Sequence, residues 1–288
     1  MKLTLTPFNL IKVLLALSTL STLLFNSNYV LFGESLQSSF NYDAFTLFYL
    51  FSDNLIYAKI LSVIVLILVL LGFFPIVLSF LHWYITYSFV VASDVTFGGD
   101  NISANITLLL IPCSFFQNKI NHYKKYETSK KVFFEEIQWT FYIAILIQIS
   151  LIYFQAFYKK ILIKEWIDGT AVFYFITNVE YGLGSYQYVK EFFKEKYTLV
   201  KVLTWSTLLI ELIVSLFVFF KHKFSLQILK KFLLIFILFH FILMVCFGIF
   251  PFFIVMCGLL VFYVLPRDFQ KTIQINFFFF FTSSNRNP

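Results

Sequence analysis

The stretch YFQAFYKK (153–160) ends an apolar helical pattern in two adjacent ammonium groups, Lys159 and Lys160, and is followed by the turn Trp166-Ile167-Asp168-Gly169. An amine held neutral by low polarity and by a like-charged neighbour is a usable base or nucleophile. The other reading of the pair is as interfacial anchors, with stems in lipid and heads at the headgroups. Helical spacing sets Gln148, Ile152, Gln155 and Lys159 on one face and turns Lys160 about 100° away. That geometry favours Lys159.

Further polar groups stand in apolar runs or at turns. Ser79, His82 and Thr86 recur at i, i+3 and i+7, one face of a helix. Such a face is either a polar seam between helices or part of a site. Glu211, in TLLIELIVSLF, is either a functional carboxyl or one that holds two helices together, protonated or paired with a lysine. His240, in LLIFILFHFILM, has no polar companion nearby in sequence and reads as a core histidine. Gly98-Gly99-Asp100 and Asp168-Gly169-Thr170 are turn formers that could also present their carboxylates. No P-loop, GxGxxG after a strand, HExxH or GxSxG occurs. Cys113, Cys246 and Cys257 lie in apolar runs without CxxC, so neither a metal site nor a disulfide framework is expected.

The elements that must position these groups are membrane helices. The chain is 60% hydrophobic and 13% charged, against about 25% charged in soluble domains, and its mean hydropathy is +0.83. The net charge of +7 comes from lysines at the ends of hydrophobic runs. There they orient helices and meet anionic lipid, so nucleic acid is not an expected partner. Residues 1–25 resemble a signal peptide but lack a small-x-small cleavage site, and are read as a retained first span.

Spans need ~20 apolar residues. Residues 8–25, 102–117, 133–158 and 198–220 each supply one. The runs 57–92 and 232–265 would each be about 50 Å long as single helices, too long for one hydrocarbon core of ~30 Å. Each contains a Gly-x-x-Pro breaker, at Gly72–Pro75 and Gly248–Pro251. Each is therefore read as a hairpin of two short helices, and the expectation is an all-α polytopic transmembrane bundle of about eight spans. Loops 118–131 and 221–231, with five and four lysines, then fall in the cytoplasm with both termini. Loop 26–58, with Glu34, Asp43 and Asp53 and no Lys or Arg, falls outside. Residues 93–101 and 159–196 also fall outside, although seven lysines against five acids between Lys159 and Lys201 run against the charge rule. AVFYFIT within that segment is too short to span and is expected to be re-entrant or interfacial.

Taken together, LHWYITYSFVVASDVTFGGDNISANITLLLIP (81–112), IYFQAFYKKILIKEWIDGTAVFYF (152–175) and LTWSTLLIEL (203–212) resemble the sporulation-delaying protein SdpB family. That family falls in the HTTM group, whose membrane module is shared with vitamin K-dependent gamma-glutamyl carboxylase. The likeness covers roughly residues 8–268, which are expected to form one HTTM-like domain (1–268), with a low-complexity tail at 269–288.

The resemblance implies a multipass protein of the bacterial plasma membrane. It would act in maturing a secreted antimicrobial peptide toxin, beside a small partner protein and the toxin precursor. By alignment of YFQAFYKK it implies Lys160 as the base of a carboxylase-like reaction with a lipid-soluble quinol, and His82 as the second catalytic group. The candidate site is then Lys160 and His82, with Lys159, Gly98, Gly99, Asp100, Trp166, Asp168 and Glu211 beside them. The carboxylase's large extra-membranous domain has no counterpart here, so gamma-carboxylation itself is not expected. A transporter or immunity protein that only binds is the remaining alternative; no convincing internal repeat favours the former.

Overall fold

A computed structural model describes residues 2–33, 45–96, 98–115, 117, 120–123, 132–180, 182–269 and 271–274. Lys2–Leu5 is strand β1. Pro7–Phe25 is helix α1, begun by Pro7 in its first turn and capped by the Thr6 hydroxyl, which accepts from the Asn9 N–H at 3.2 Å. Two short helices follow, α2 (Asn28–Phe32) and α3 (Leu47–Leu50). Then come α4 (Leu55–Leu70), α5 (Pro75–Ala92), α6 (Gly98–Ser114) and α7 (Val132–Ile161). The short helices α8 (Lys164–Ile167), α9 (Ala171–Ile176) and α10 (Gln187–Glu195) lead into α11 (Tyr197–Phe220). α12 (Leu226–Phe247), α13 (Phe250–Val264) and β2 (Lys271–Gln274) complete the described chain.

Among the described residues six helices are long and apolar enough to cross a membrane. α6 and α13 have 17 and 15 residues and complete the alternation as shorter helices. Both long apolar runs break at the expected places. Gly72 turns between α4 and α5 at φ +78°, and Pro75 opens α5; Gly248 caps α12 at φ +67°, and Pro251 lies in the first turn of α13.

The two ends of the bundle are tied separately. At one end β1 pairs antiparallel with β2. The Thr4 N–H donates to the Tyr123 carbonyl at 3.0 Å, the His122 N–H to Gly72 at 2.9 Å and the Phe74 N–H to Ile120 at 3.0 Å. Both terminal strands, the α4–α5 tip and residues 120–123 therefore share that end. A Cβ at Gly72 would lie 2.8 Å from the Tyr123 ring, so only glycine permits this approach. At the other end the Ser93 hydroxyl donates to the Leu31 carbonyl at 2.8 Å, the Phe175 and Phe247 rings meet 6.4 Å apart, and Gly99 faces the Phe252 backbone. With both terminal strands at one end, the chain runs between the two ends an even number of times, as the hairpin reading requires.

One apolar core joins α1, α6, α7, α11, α12 and α13, and a second joins α1 to α5. Much of α4, α7, α11 and α12 keeps large apolar side chains exposed, such as Ile64, Ile147, Leu209 and Ile242. That is the surface hydrocarbon covers. Gly98, Gly99 and Asp100 form the first turn of α6 rather than a free turn, and Asp100 is buried. Most of loop 118–131, Glu34, Asp43 and the Phe-rich tail lie outside the described residues.

Candidate functional site

The buried stripe of α7 runs Tyr142, Ile145, Leu146, Ile149 and Tyr153. Seven residues beyond Tyr153, the same face reaches Lys160. The face expected from Gln148, Ile152, Gln155 and Lys159 is its neighbour, where Gln155 and Lys159 are exposed. On α11 the buried positions Val200, Thr204, Glu211, Val214 and Ser215 form the matching stripe. α7 packs along α11, and the two stripes bring Lys160 onto Glu211 as a hydrogen-bonded ion pair. The other carboxylate oxygen of Glu211 has no partner among the described residues.

The segment after α7 folds back over this pair. The Trp166 N–H donates to the Ile163 carbonyl at 3.1 Å and the Thr170 N–H to Glu165 at 2.8 Å, a turn made possible by Gly169 at φ +80°. Trp166 is buried, and its ring lies 5.1 Å from the Lys160 ammonium, within cation–π range. The Val172 N–H donates to the Thr204 hydroxyl at 3.2 Å, and the Trp205 indole to the Ile167 carbonyl at 3.1 Å. AVFYFIT is thus a short helix, α9, bound across α11, and its backbone is satisfied by protein, as membrane depth demands.

Beneath this roof is a cavity of about 470 Å³. Its walls are apolar residues of α9, α11 and α12, among them Phe175, Leu203, Leu238 and Ile242; Lys160, Glu211 and Trp166 form the polar edge. The Ser206 and Thr207 hydroxyls also line it, and both donate to the Leu203 carbonyl at 3.0 Å, so they present lone pairs. Below it Tyr153 bonds His240 Nε2 at 2.7 Å, the companion that the local sequence around His240 does not reveal. This arrangement can take an amphiphile of ligand size, with its apolar body in the cavity and a polar group against the ammonium and the indole.

The other candidates lie elsewhere. His82 is buried on α5, within electrostatic reach of Lys12 and away from the residues that line the cavity. Lys12 is a group that sequence reasoning passed over. Lys12 is 3% exposed, and its ammonium donates to Ser79 at 2.9 Å, Ser114 at 2.6 Å and Gln117 at 2.8 Å. The signal was available as one lysine at the sixth position of an apolar helix. Ser79, His82 and Thr86 do form a seam between helices, since Thr86 bonds Thr107 of α6 at 3.0 Å. Asp168 is exposed on the α8–α9 turn. No group of three His, Cys, Asp or Glu able to hold a metal occurs among the described residues.

No family model matches the chain, and no solved structure matches it. It is 29% identical over 282 residues to the uncharacterized protein YitO of Bacillus subtilis (strain 168), covering 94% of this chain and 88% of that one. It is also 28% identical over 214 residues to the sporulation-delaying protein SdpB of Bacillus subtilis (strain 168), covering 72% of this chain and 66% of that protein. A helical membrane bundle with an ion pair at the edge of an apolar cavity is therefore the architecture of a chain similar to SdpB.

Proposed function

We propose that this chain is a multipass protein of the bacterial plasma membrane that acts in producing a secreted peptide toxin of the sporulation-delaying type. It works with the toxin precursor and a small partner protein, and the cavity edged by Lys160, Glu211 and Trp166 is its working site. The similarity to SdpB supports the pathway. The observation that carries the site is the Lys160–Glu211 pair. Ionisable groups in membrane helices are costly and mark functional positions, and this pair edges a ligand-sized cavity. In this reading Lys160 grips a polar group of the peptide or of a lipid-like co-reactant. Glu211 holds the ammonium in place, and Asp168 with residues 93–101 belongs to the outer surface that meets the partner.

The cavity supports a second, enzymatic reading. Its volume and apolar walls fit the ring of a lipid-soluble quinol, with Trp166 beside the ring and Lys160 at the polar edge; such a group supplies reducing equivalents when bound. This reading rests on the likeness to the HTTM module. Lys160 would work there with Glu211, and His82 would belong to the separate cluster around Lys12.

The test is co-expression with the toxin precursor and its partner, followed by the mass and killing activity of the secreted peptide. Loss of product with both Lys160→Ala and Lys160→Arg, at normal membrane levels, supports chemistry at the amine. Rescue by arginine supports a cation that only binds. Normal product from both removes Lys160 from the site.

A further inference from the structure

A second set of polar groups runs the length of the bundle between α1, α5 and α6, apart from the Lys160 cavity. α5 and α6 are antiparallel, and their facing pairs keep one register: Thr86 bonds Thr107 at 3.0 Å and Ser79 bonds Ser114 at 2.7 Å. On α6 the polar residues Asp100, Ser103, Thr107 and Ser114 recur on one face, and all four are buried. On α5 the matching face carries Ser79, His82 and Thr86, also buried. Ordered along the bundle, the seam reads Asp100, Ser103, the Thr86–Thr107 pair, His82, then the Ser79–Ser114 pair with Lys12. Gln117 continues it by donating to Asn9 Oδ1 at 2.7 Å, and Asn9 donates to the His122 carbonyl at 2.9 Å. From Asp100 to Ser114 alone this covers roughly 21 Å of helix.

Three features set the seam apart from ordinary helix glue. It carries three ionisable types, a carboxyl, an imidazole and an amine, all at most 6% exposed. Ionisable groups at membrane depth are the parts from which proton relays are made.

Its hydrogen-bond polarity is fixed as well. Ser79 donates to the Pro75 carbonyl at 2.6 Å and Ser114 donates to Ser79 at 2.7 Å, so both hydroxyls keep lone pairs for Lys12, as Gln117 Oε1 does. Three acceptors at once require three N–H donors, which only the ammonium has.

Finally, the direct bonds break at two points, and each point holds a buried polar atom without a partner among the described residues: Ser103 Oγ and His82 Nε2. Buried polar atoms of this kind are places for a bridging water or a mobile proton.

We propose that this seam is a proton path across the membrane, with His82 as the carrier at its centre. A proton passes along a hydrogen bond. A metal ion would need room that contacts of 2.6–3.0 Å at the two hydroxyl pairs and Lys12 do not leave. The charged or titratable groups on the elements around it include Lys12 of α1, Tyr84 of α5, Asp100 and Cys113 of α6, and His122 and Tyr123 of the 120–123 segment. Lys59 of α4 is held away from it by the Asn26 carbonyl at 2.8 Å.

The experiment is proton flux into proteoliposomes of phosphatidylethanolamine and phosphatidylglycerol. They carry the purified full chain and a trapped pH-sensitive dye, and a potassium diffusion potential drives the flux. The wild type acidifies the lumen at least severalfold faster than protein-free vesicles, and replacing sodium with choline changes nothing. His82→Phe and the near-isosteric Thr86→Val each return the rate to that of protein-free vesicles. Both must elute as monodisperse protein, and Lys194→Gln on the exposed helix α10 leaves the rate unchanged. A wild-type rate equal to protein-free vesicles overturns the proposal. So does a wild-type rate that survives both substitutions.

Discussion

Lys160 and Glu211, 51 residues apart in sequence, meet as an ion pair whose side chains are 25% and 7% exposed. The carboxylate is the more buried partner, so the two ends of the pair are not equivalent. Removing the ammonium strands a buried anion, whereas neutralising the carboxylate leaves a lysine that can turn outward. Lys160→Met is expected to cost on the order of 3 kcal/mol and Glu211→Gln clearly less. Thermal unfolding in detergent, followed by a tryptophan or thiol probe, measures both; equal losses would mean that the exposed end carries the burden.

The α8–α9 roof depends on Gly169. Its φ of +80° suits glycine, and an added Cβ would lie 2.6 Å from Lys201 Cγ. Gly169→Ala is expected to cost about 1–2 kcal/mol from the left-handed backbone alone. It should also push Lys201 off the Trp205 ring, which it now covers at 4.7 Å. A shift in tryptophan emission together with the loss of stability is the expected signature.

The fold predicts which residues share a side of the membrane. Single cysteines at Phe73, Ile120 and Lys223 should be labelled by an impermeant thiol reagent from one side, and those at Asp94, Asp168 and Lys194 from the other. The experiment needs a background free of Cys113, Cys246 and Cys257. Asp168 and Phe73 labelled from the same side would break the even-crossing bundle.

Residues 120–123 bear on the pH response. Burial, helped by the Lys12 ammonium, pulls the His122 imidazole down to about 3. The folded protein therefore holds His122 neutral, while the unfolded chain protonates it below about 6.5. This leaves stability unchanged above that value and lowers it as pH falls from 6.5 toward 3, by about 1.4 kcal/mol per unit. His122→Gln should flatten thermal stability between pH 6.5 and 5 relative to the wild type.

Much of the bundle was legible in the sequence, because Gly-x-x-Pro breakers and run length are local signals. Gly72 and Gly248 turn where those signals say. The site was legible only in part. Lys160 and Glu211 each stand out as charge in an apolar run, but their pairing depends on which face of α7 is buried. That face is set by Tyr142 against Phe8 and Phe262 and by Tyr153 against His240, not by the more polar neighbouring face of Gln148 and Gln155. Lys12 escaped for a different reason. One lysine near the start of a first span looks like an orienting charge, and its three partners come from α5, from α6 and from beyond α6. The same distance in sequence hides Tyr153 from His240.

In the proposed function the Lys160 ammonium acts at the cavity edge rather than merely joining α7 to α11. Exchanging the pair tests it most directly: Lys160→Glu, Glu211→Lys and the double variant, each co-expressed with the toxin precursor and scored for both thermal stability and secreted active peptide. The double variant should regain much of the stability lost in the single ones but secrete no active peptide. Active peptide restored along with stability would show the pair to be a strut and contradict the account.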